Sequence, residues 1–375
     1  MKVPATPFPM TGYFGKKYFC NRDTEVKAII RNFKSGISTT LVSLRRLGKT
    51  ALIHHTGYNL PKNSLFIYID IHATENLNDL LNHLASAVVK SVPDKSVFAK
   101  KVMNFFQSLR PVVSFDQLTG TPQFTFNFQQ KEVQTGLQGT IDLLEHHNIP
   151  VLIAIDEFQQ IVNYPEDNTD AWLRSIIQKL KNVSFIFSGS KQHMMTDLFN
   201  HPSRPFYRST NFLKLEKIPE TEYSSFIIEK FKEEKINISQ QIVSEILEWT
   251  EQYTYYVQLL CSRVYLGKER KITSDSWKEE AHKLLKEQEP VFYNFRELLT
   301  PPQWTLLKAM AKEHVIYQPT ANDFISNYKL GSSAAVLRSL NSLTGKEMVY
   351  YDFDEKGNKY YKVYDLLLKK WLENL

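Results

Sequence analysis

Gly48, Lys49 and Thr50 stand in succession, and together they have the properties needed to bind the phosphates of a nucleotide. They follow a short β-prone run at 38–42 and precede residues 51–55, where a helix is predicted to begin. Backbone N–H groups and the dipole at the start of a helix favour negative charge, so phosphate oxygens are expected there. The Lys49 ammonium would reach the β- and γ-phosphates of ATP, and the Thr50 hydroxyl would bind Mg²⁺.

The loop before this triplet departs from the usual pattern at one position. The pattern G-x-x-x-x-G-K-[ST] begins with glycine, whereas this sequence has Ser43 there, which would loosen phosphate affinity. The residues assigned to phosphate binding in and after the loop are Ser43, Arg45, Arg46, Leu47, Gly48, Lys49, Thr50 and Ala51.

A second motif supplies the carboxylates that such a site needs. Five apolar residues, 151–155, precede Asp156 and Glu157, which is typical of a buried strand in a parallel sheet. Asp156 would hold the Mg²⁺ shell, and Glu157 would polarise the attacking water. The alternative is an ordinary buried strand that ends in a solvated acidic turn. Both halves of one Mg-phosphate site occur in the expected order, which favours ATP hydrolysis.

Composition excludes several classes of protein. Cys20 and Cys261 are the two cysteines, so a disulfide framework and a cysteine metal site are not expected. The net charge of +6 permits nucleic acid as a partner without indicating it. No apolar run approaches the ~18 residues of a membrane span, and residues 1–10 lack the apolar region of a signal peptide. We therefore predict a cytoplasmic protein without a membrane segment.

The elements that must position these motifs alternate between strands and helices. Apolar runs predict five strands, near 38–42, 64–71, 151–155, 183–187 and 211–215. Strands separated by helices indicate an α/β fold with a parallel sheet, and the site is expected at the carboxyl ends of the strands.

A β-hairpin at about 111–129 interrupts this alternation. In it Phe124, Phe126 and Phe128 alternate with polar residues, which predicts one apolar face. We expect this face to pack on the body of the protein; a base-stacking surface is the alternative.

The character of the chain changes at Pro219, after which amphipathic helices replace the strands. Three helices followed by two short strands around residues 354–358 then predict a winged helix. We predict a nucleotide-binding core at 1–218, an all-helical lid at 219–297 and a winged-helix domain at 298–375.

The chain resembles the prokaryotic, archaeal-type AAA ATPases of the AAA+/STAND group of P-loop NTPases. In chain order, the resemblance rests on Arg45-Arg46 before Gly48-Lys49-Thr50, on Asp156-Glu157-Phe158-Gln159, on Ser188-Gly189-Ser190 and on residues 204–208. It covers nearly the whole chain. It implies a five-stranded sheet of order 5-1-4-3-2, ATP binding with slow hydrolysis, and a nucleotide-driven rearrangement between core and lid.

The resemblance also implies roles for residues outside the two motifs. Phe19 and Arg22 would flank the adenine, the alternative being a helix cap with a hydrophobic staple. Residues 253–260 resemble the short motif at the start of a lid helix, but they lack its glycine and proline. Nucleotide sensing by the lid is therefore an open question at this stage.

Polar residues near the γ-phosphate are implied in the same way. Ser188 or Ser190 would read the γ-phosphate, and a tight turn is the alternative. Arg204 and Arg208 would be γ-phosphate arginines, acting in their own chain or from a neighbouring subunit of a homo-oligomer. Solvated loop arginines are the alternative.

Two functions of different class follow. The first is an ATP-hydrolysing switch whose nucleotide state controls a C-terminal contact with a protein partner. The second is an ATP-regulated DNA-binding protein that uses the winged helix, and a pseudo-ATPase is a weaker third. Residues 332–343, the predicted recognition helix, have one basic residue, Arg338, and residues 298–375 contain ten Lys/Arg against eight Asp/Glu. This near-neutral balance favours the protein partner.

Overall fold

The computed structural model describes residues 4–93, 96–109, 112–115, 122–125, 130–267 and 269–375. The chain divides into two compact units. The first comprises residues up to 226 together with 252–258, and the second comprises 227–251 together with 259–375. Among the described residues, no helix has the length and apolar character required to cross a membrane.

The strands of the first unit form a parallel sheet and a separate hairpin. They are β1 (Thr39–Val42), β2 (Leu65–Asp70), β3 (Val112–Phe115), β4 (Pro122–Thr125), β5 (Val151–Asp156), β6 (Val183–Gly189) and β7 (Asn211–Lys214). The sheet has five strands in the order β2-β5-β6-β1-β7, all neighbours being parallel. Counted without the hairpin, this is the predicted order 5-1-4-3-2, which is confirmed.

The middle of the sheet is buried on both faces. Every residue of β1, β5 and β6 is buried, whereas β7 at one edge is largely exposed. Near-continuous apolar runs are typical of parallel strands covered by helices, because neither face meets water. The helices of this unit are α1 (Asp23–Lys34), α2 (Lys49–Tyr58), α3 (Leu77–Ser91), α4 (Val97–Ser108), α5 (Gln130–Glu145), α6 (Thr169–Ile177) and α7 (Gln192–Asn200).

The predicted β-hairpin is present. Strands β3 and β4 pair antiparallel, with Val113 opposite Phe124. Phe126 and Phe128, which complete the predicted apolar face, lie outside the described residues.

Helices dominate the remainder of the chain. They are α8 (Glu220–Glu233), α9 (Gln240–Trp249), α10 (Thr254–Leu266), α11 (Ser274–Glu297), α12 (Pro301–Lys312), α13 (Asn322–Tyr328) and α14 (Ser333–Gly345). Strands β8 (Val349–Phe353) and β9 (Lys359–Val363) pair antiparallel as the predicted wing, and α15 (Leu366–Glu373) follows. The apolar sides of α12, α14 and α15 are buried, so the winged helix has a core of its own.

Candidate nucleotide-binding site

The loop between β1 and α2 has the backbone that phosphate binding requires. Gly48 is the residue before the first turn of α2 and has a φ of 90°, in the left-handed region that favours glycine. The Leu52 amide donates to the Gly48 carbonyl oxygen at 3.0 Å, which starts the helix at this point. The glycine is therefore needed for the turn that aims the helix N-terminus at the site.

Serine is accommodated at the first position of the loop. Ser43 is fully buried, and its hydroxyl donates to the carbonyl oxygen of Leu44 at 2.8 Å. Its amide lies 3.4 Å from the carbonyl oxygen of Gly189, continuing the pairing of β1 with β6. Ser43 does not have the positive φ that would demand glycine. The departure from the usual motif thus leaves this part of the backbone unstrained.

Asp156, at the end of β5, is the residue on which the two motifs converge. Its carboxylate accepts hydrogen bonds from Lys49 Nζ at 2.5 Å, from Thr50 Oγ1 at 2.8 Å and from Ser188 Oγ at 2.8 Å. Burial opposes the ionisation of Asp156, but the Lys49 ammonium and these hydroxyl donors outweigh it and hold the pKa below its usual range. The carboxylate is therefore charged, and it pairs with the Lys49 ammonium.

Glu157 lies beside this pair with a left-handed backbone, φ 57°. Its Oε2 accepts hydrogen bonds from Gln159 Nε2 at 2.5 Å and Ser190 Oγ at 2.7 Å, while its Oε1 lies 3.5 Å from Lys49 Nζ. Burial again opposes ionisation, and the Lys49 charge and the two donors outweigh it, so the pKa of Glu157 is also lowered. A non-glycine residue in the left-handed region is typical of functional sites.

A cavity of about 270 Å³ opens above the loop. All of its lining residues belong to the first unit. Its lining includes the loop residues 43–51 with Glu157 and Ser190, together with Tyr13, Phe14, Tyr18, Phe19, Arg22, Ile218, Tyr223, Thr254, Tyr255 and Gln258. A cavity lined by both charged groups and aromatic rings has the chemistry that the phosphates and the base of a nucleotide need.

Phe19, which lines the cavity, packs against His55 of α2. The ring of Phe19 stacks on His55 with centroids 4.1 Å apart, and the Tyr13 hydroxyl lies 2.5 Å from His55 Nδ1. Burial lowers the pKa of His55 and raises the pKa of Tyr13 to about 12, so both are neutral at pH 7. Phe19 is therefore held in the cavity wall by His55, and its contact with adenine stays a prediction.

Arg22 connects α1 to the loop. It occupies the N-cap position of α1 without making a side-chain cap, and it is 4% exposed. Its guanidinium donates to Glu25 Oε1 at 3.0 Å and lies 3.5 Å from the carbonyl oxygen of Leu47. The side chain thus supports the loop, and its contact with adenine stays a prediction.

The start of α10 forms a wall that the sequence indicated only by an imperfect motif. The Tyr255 amide donates to the Arg46 carbonyl oxygen at 3.0 Å, and Thr254 Oγ1 donates to the Leu47 carbonyl oxygen at 3.1 Å. The Arg46 guanidinium lies 5.2 Å from the ring centroid of Tyr255 and 4.7 Å from that of Tyr256. Such cation–π contacts contribute roughly 0.5–2 kcal/mol each. The loop is therefore held by α10 even though the usual glycine and proline are missing.

The remaining predicted residues divide into two groups. Arg45 lies near the acidic residues, because its Nε is 3.4 Å from Ser190 Oγ, and Ala51 lines the cavity. Arg204 instead pairs with Asp197 at 2.7 Å, and the Arg208 guanidinium lies 5.2 Å from the ring of Tyr207. Neither of these two arginines is among the residues that line the cavity.

Two residues of the site were missed by the sequence reasoning as contributors. The Tyr68 hydroxyl lies 3.3 Å from Asp156 Oδ2, and burial together with the Asp156 charge raises its pKa. Tyr68 is two residues before the end of β2, which pairs with β5, and this register was the available signal. The sequence indicated Gln159 only as part of the motif at 156–159 and gave no sign of its hydrogen bond to Glu157.

The residues present fit a magnesium ion. Mg²⁺ prefers oxygen ligands and is usually held by one or two carboxylates together with the phosphates of the substrate. The Thr50 hydroxyl and the Asp156 carboxylate, 2.8 Å apart, would supply such oxygens. Within the described part of the chain, no group of three or more His, Cys, Asp or Glu side chains could hold a metal without a nucleotide.

Two parts of the chain match known domain families. Residues 36–194 match the family model of an AAA domain, and residues 290–374 match that of a probable winged helix domain. The search of curated proteins gave no significant match.

Solved structures share the fold at low sequence identity. The Walker-type ATPase of Pyrococcus abyssi has a TM-score of 0.66 and 16% identity, with 98% of this chain and 99% of that chain covered. The Aeropyrum pernix ORC2 protein in ADPNP–ADP complexes has a TM-score of 0.56 and 13% identity over 94% and 93% of the two chains. Its ADP form has a TM-score of 0.51 and 12% identity over 98% and 96%. The predicted resemblance is confirmed: this chain carries an AAA domain of the P-loop ATPase fold followed by a C-terminal winged helix domain.

Proposed function

We propose that this protein binds ATP with Mg²⁺ and hydrolyses it, as a slow molecular switch of the AAA+/STAND type. The observation that supports this most directly is the convergence of Lys49 and Thr50 on Asp156, with Glu157 beside them. An ammonium group, a hydroxyl and two carboxylates near a helix N-terminus are the groups that phosphoryl transfer to water requires.

Each side chain has a separate task in this proposal. The loop amides and the Lys49 ammonium bind the β- and γ-phosphates, and Lys49 exchanges its bond to Asp156 for the phosphate oxygens. Bound Mg²⁺ supplies neutralisation of phosphate charge, and Thr50 and Asp156 would hold it. Glu157 orients the attacking water and accepts its proton through the oxygen that faces Lys49. Ser190, which donates to Glu157, reads the γ-phosphate.

A switch also requires that the nucleotide state reach the C-terminal part of the chain. In the first unit, the start of α10 is bonded to the phosphate loop at Arg46 and Leu47. In the second unit, Glu251, just before α10, accepts hydrogen bonds from Lys369 at 2.5 Å and Lys362 at 3.3 Å. We infer that a change at the loop moves the turn before α10 and is passed to the winged helix through these bonds.

The proposed partner of the winged helix is a protein. Helix α14 is the counterpart of a recognition helix. Its exposed side chains include Ala334, Leu337, Arg338 and Asn341, of which only Arg338 is basic. The wing exposes Phe353, which is 53% accessible, beside Glu355 and Lys356. A surface of mixed charge and apolar side chains suits a protein contact better than a phosphate backbone. We retain 219–297 as the lid and 298–375 as the contact module in this proposal.

ATP turnover by the purified chain, measured with and without duplex DNA, tests the function. We expect slow, Mg²⁺-dependent release of phosphate that DNA does not stimulate, and size-exclusion chromatography with each nucleotide would report any change of assembly. Absence of turnover in a protein that binds ATP would support the pseudo-ATPase. Stimulation by DNA would support the ATP-regulated DNA-binding alternative.

A further inference from the structure

The amide of Gln159 fixes the orientation of the Glu157 carboxylate. Gln159 Nε2 and Ser190 Oγ both donate to Oε2 of Glu157, at 2.5 and 2.7 Å. The other carboxylate oxygen, Oε1, faces Lys49 Nζ at 3.5 Å. In the proposed function Lys49 binds the terminal phosphate, so Oε1 is the oxygen that faces the reacting groups. Oε2 is the oxygen that Gln159 and Ser190 hold in place.

Gln159 occupies this position although part of its side chain is poorly satisfied. The residue is 4% exposed, and its Oε1 atom is buried without a hydrogen-bond partner among the described residues. A buried amide oxygen without a partner is unfavourable, and an apolar side chain of the same length would avoid this cost. The feature that only the amide supplies is the Nε2 donor to Glu157.

Gly189 provides the space that this amide occupies. A Cβ atom at Gly189 would collide with Gln159 Oε1 and would also lie 2.5 Å from Met195 Cγ. Gly189 does not have a positive φ, so its glycine is explained by the close approach of these side chains and not by the backbone. Gly189 therefore leaves room for the side chains of both Gln159 and Met195.

We propose that Gln159 is a positioning residue for ATP hydrolysis, which holds Glu157 so that its Oε1 meets the attacking water. This inference rests on the proposed function, because it assigns Glu157 as the base. Gln159 acts only through Glu157 and is expected to contact neither the nucleotide nor the metal. Its substitution should therefore slow the chemical step without weakening ATP binding.

The test is the variant Gln159→Met, which keeps the length of the side chain and removes the donor. We expect kcat to fall by about 10- to 100-fold, the loss typical of a misplaced reacting group, while KM and the Kd for ATP stay at the wild-type values. Gly189→Ala, which displaces the amide, should give the same division between kcat and KM.

A double-substitution cycle separates positioning from a general structural role. Single-turnover hydrolysis would be measured for Glu157→Gln with and without Gln159→Met. If Gln159 acts through Glu157, the second substitution has no further effect once the carboxylate is gone. Two independent losses that multiply would overturn the inference.

The outcomes distinguish this inference from the function on which it rests. A wild-type protein that hydrolyses ATP, with Gln159→Met equal to it in kcat, removes the positioning role and leaves the proposed function standing. A wild-type protein that binds ATP without hydrolysis removes both. A loss in kcat alone, absent in the Glu157→Gln background, supports the inference.

Discussion

Lys49 Nζ donates a hydrogen bond to Asp156 Oδ1 at 2.5 Å, although the two residues are 107 positions apart in the chain. Their side chains are 7% and 3% exposed, so this is a buried ion pair. Removal of one partner from a buried pair leaves a charge uncompensated and typically costs ~3–5 kcal/mol. Substitution of either residue should therefore destabilise the ligand-free protein as well as change the candidate nucleotide site.

Lys49→Ala should abolish tight ATP binding. The ammonium is the main fixed charge for the β- and γ-phosphates, and each charge-assisted hydrogen bond contributes ~1.5–3 kcal/mol. Calorimetric titration with Mg-ATP measures the loss, and a thermal melt shows whether the variant remains folded. Lys62→Ala, at an exposed lysine, is the matched control. Unchanged affinity in Lys49→Ala would remove the assignment of the phosphate loop.

Glu157→Gln should bind ATP and fail to hydrolyse it. Glutamine keeps the size of the side chain and loses the proton acceptor, so turnover should fall by ~10²–10⁴-fold. Phosphate release and ATP binding would be measured on the same preparation. Turnover at the wild-type rate would make Glu157 a structural residue and would direct the search to another base.

The two candidate arginines should behave differently. Arg204 already pairs with Asp197, whereas the Arg208 guanidinium lies against the ring of Tyr207. We therefore expect Arg208→Ala to reduce turnover by ~10³-fold or more with binding intact, and Arg204→Ala to have a small effect. Since neither residue lines the cavity, Arg208 would act on a neighbouring subunit. Mixing the Arg208→Ala protein with the Lys49→Ala protein should then restore activity, because each supplies the residue that the other lacks. Normal turnover in both Arg204→Ala and Arg208→Ala would exclude both residues as γ-phosphate arginines.

Acidification should destabilise the protein partly through His55. Burial holds the pKa of His55 in the folded state below its ordinary value of 6.5. The unfolded chain then binds more protons than the folded chain as the pH falls below that value, so stability is present above it and is lost on acidification. The fall in Tm between pH 8 and about pH 5.5 should be shallower in His55→Gln than in the wild type. His72→Gln, at an exposed histidine, is the control, and identical slopes for wild type and His55→Gln would contradict the prediction.

Duplex DNA should bind the whole chain weakly and without sequence preference. Helix α14 exposes one basic side chain, Arg338. The wing carries Asp352, Asp354 and Glu355, whose negative charges a phosphate backbone repels. Any binding at ~50 mM salt should be lost by ~200 mM, because only nonspecific phosphate contacts would support it. Sub-micromolar affinity that persists at physiological salt, with discrimination among sequences, would favour the DNA-binding alternative.

The sheet and both motifs could be predicted because their signals are local. Strands β2, β5 and β6 are short, mainly apolar runs, Asp156 is the last residue of β5, and Gly48 directly precedes α2. Helix α15 was missed, because Leu366–Glu373 follows β9 at once and an eight-residue segment rich in leucine shows little periodicity. The boundaries of local elements are thus accessible from sequence when a turn residue marks them.

The contacts that complete the site could not be predicted, because they depend on side chains brought together by tertiary packing. Nothing in the spacing of Gln159 and Glu157 shows that one donates to the other, and nothing near Gly189 indicates that it makes room for an amide. The pairing of Arg204 with Asp197 is equally invisible without the fold. Residue types alone indicate a candidate chemistry, whereas the orientation of the side chains follows only from the fold.

The hydrogen bonds between α10 and the phosphate loop also determine when, during synthesis, the candidate site can form. Thr254 lies 207 residues after Leu47, whose carbonyl oxygen it binds. When the ribosome has synthesised only the residues of the sheet, both sequence motifs are present, but the start of α10 that supports the loop is not. Nascent chains should acquire nucleotide affinity late, after residue 258 has left the exit tunnel, and a chain truncated after β7 should fold as a sheet that holds ATP poorly.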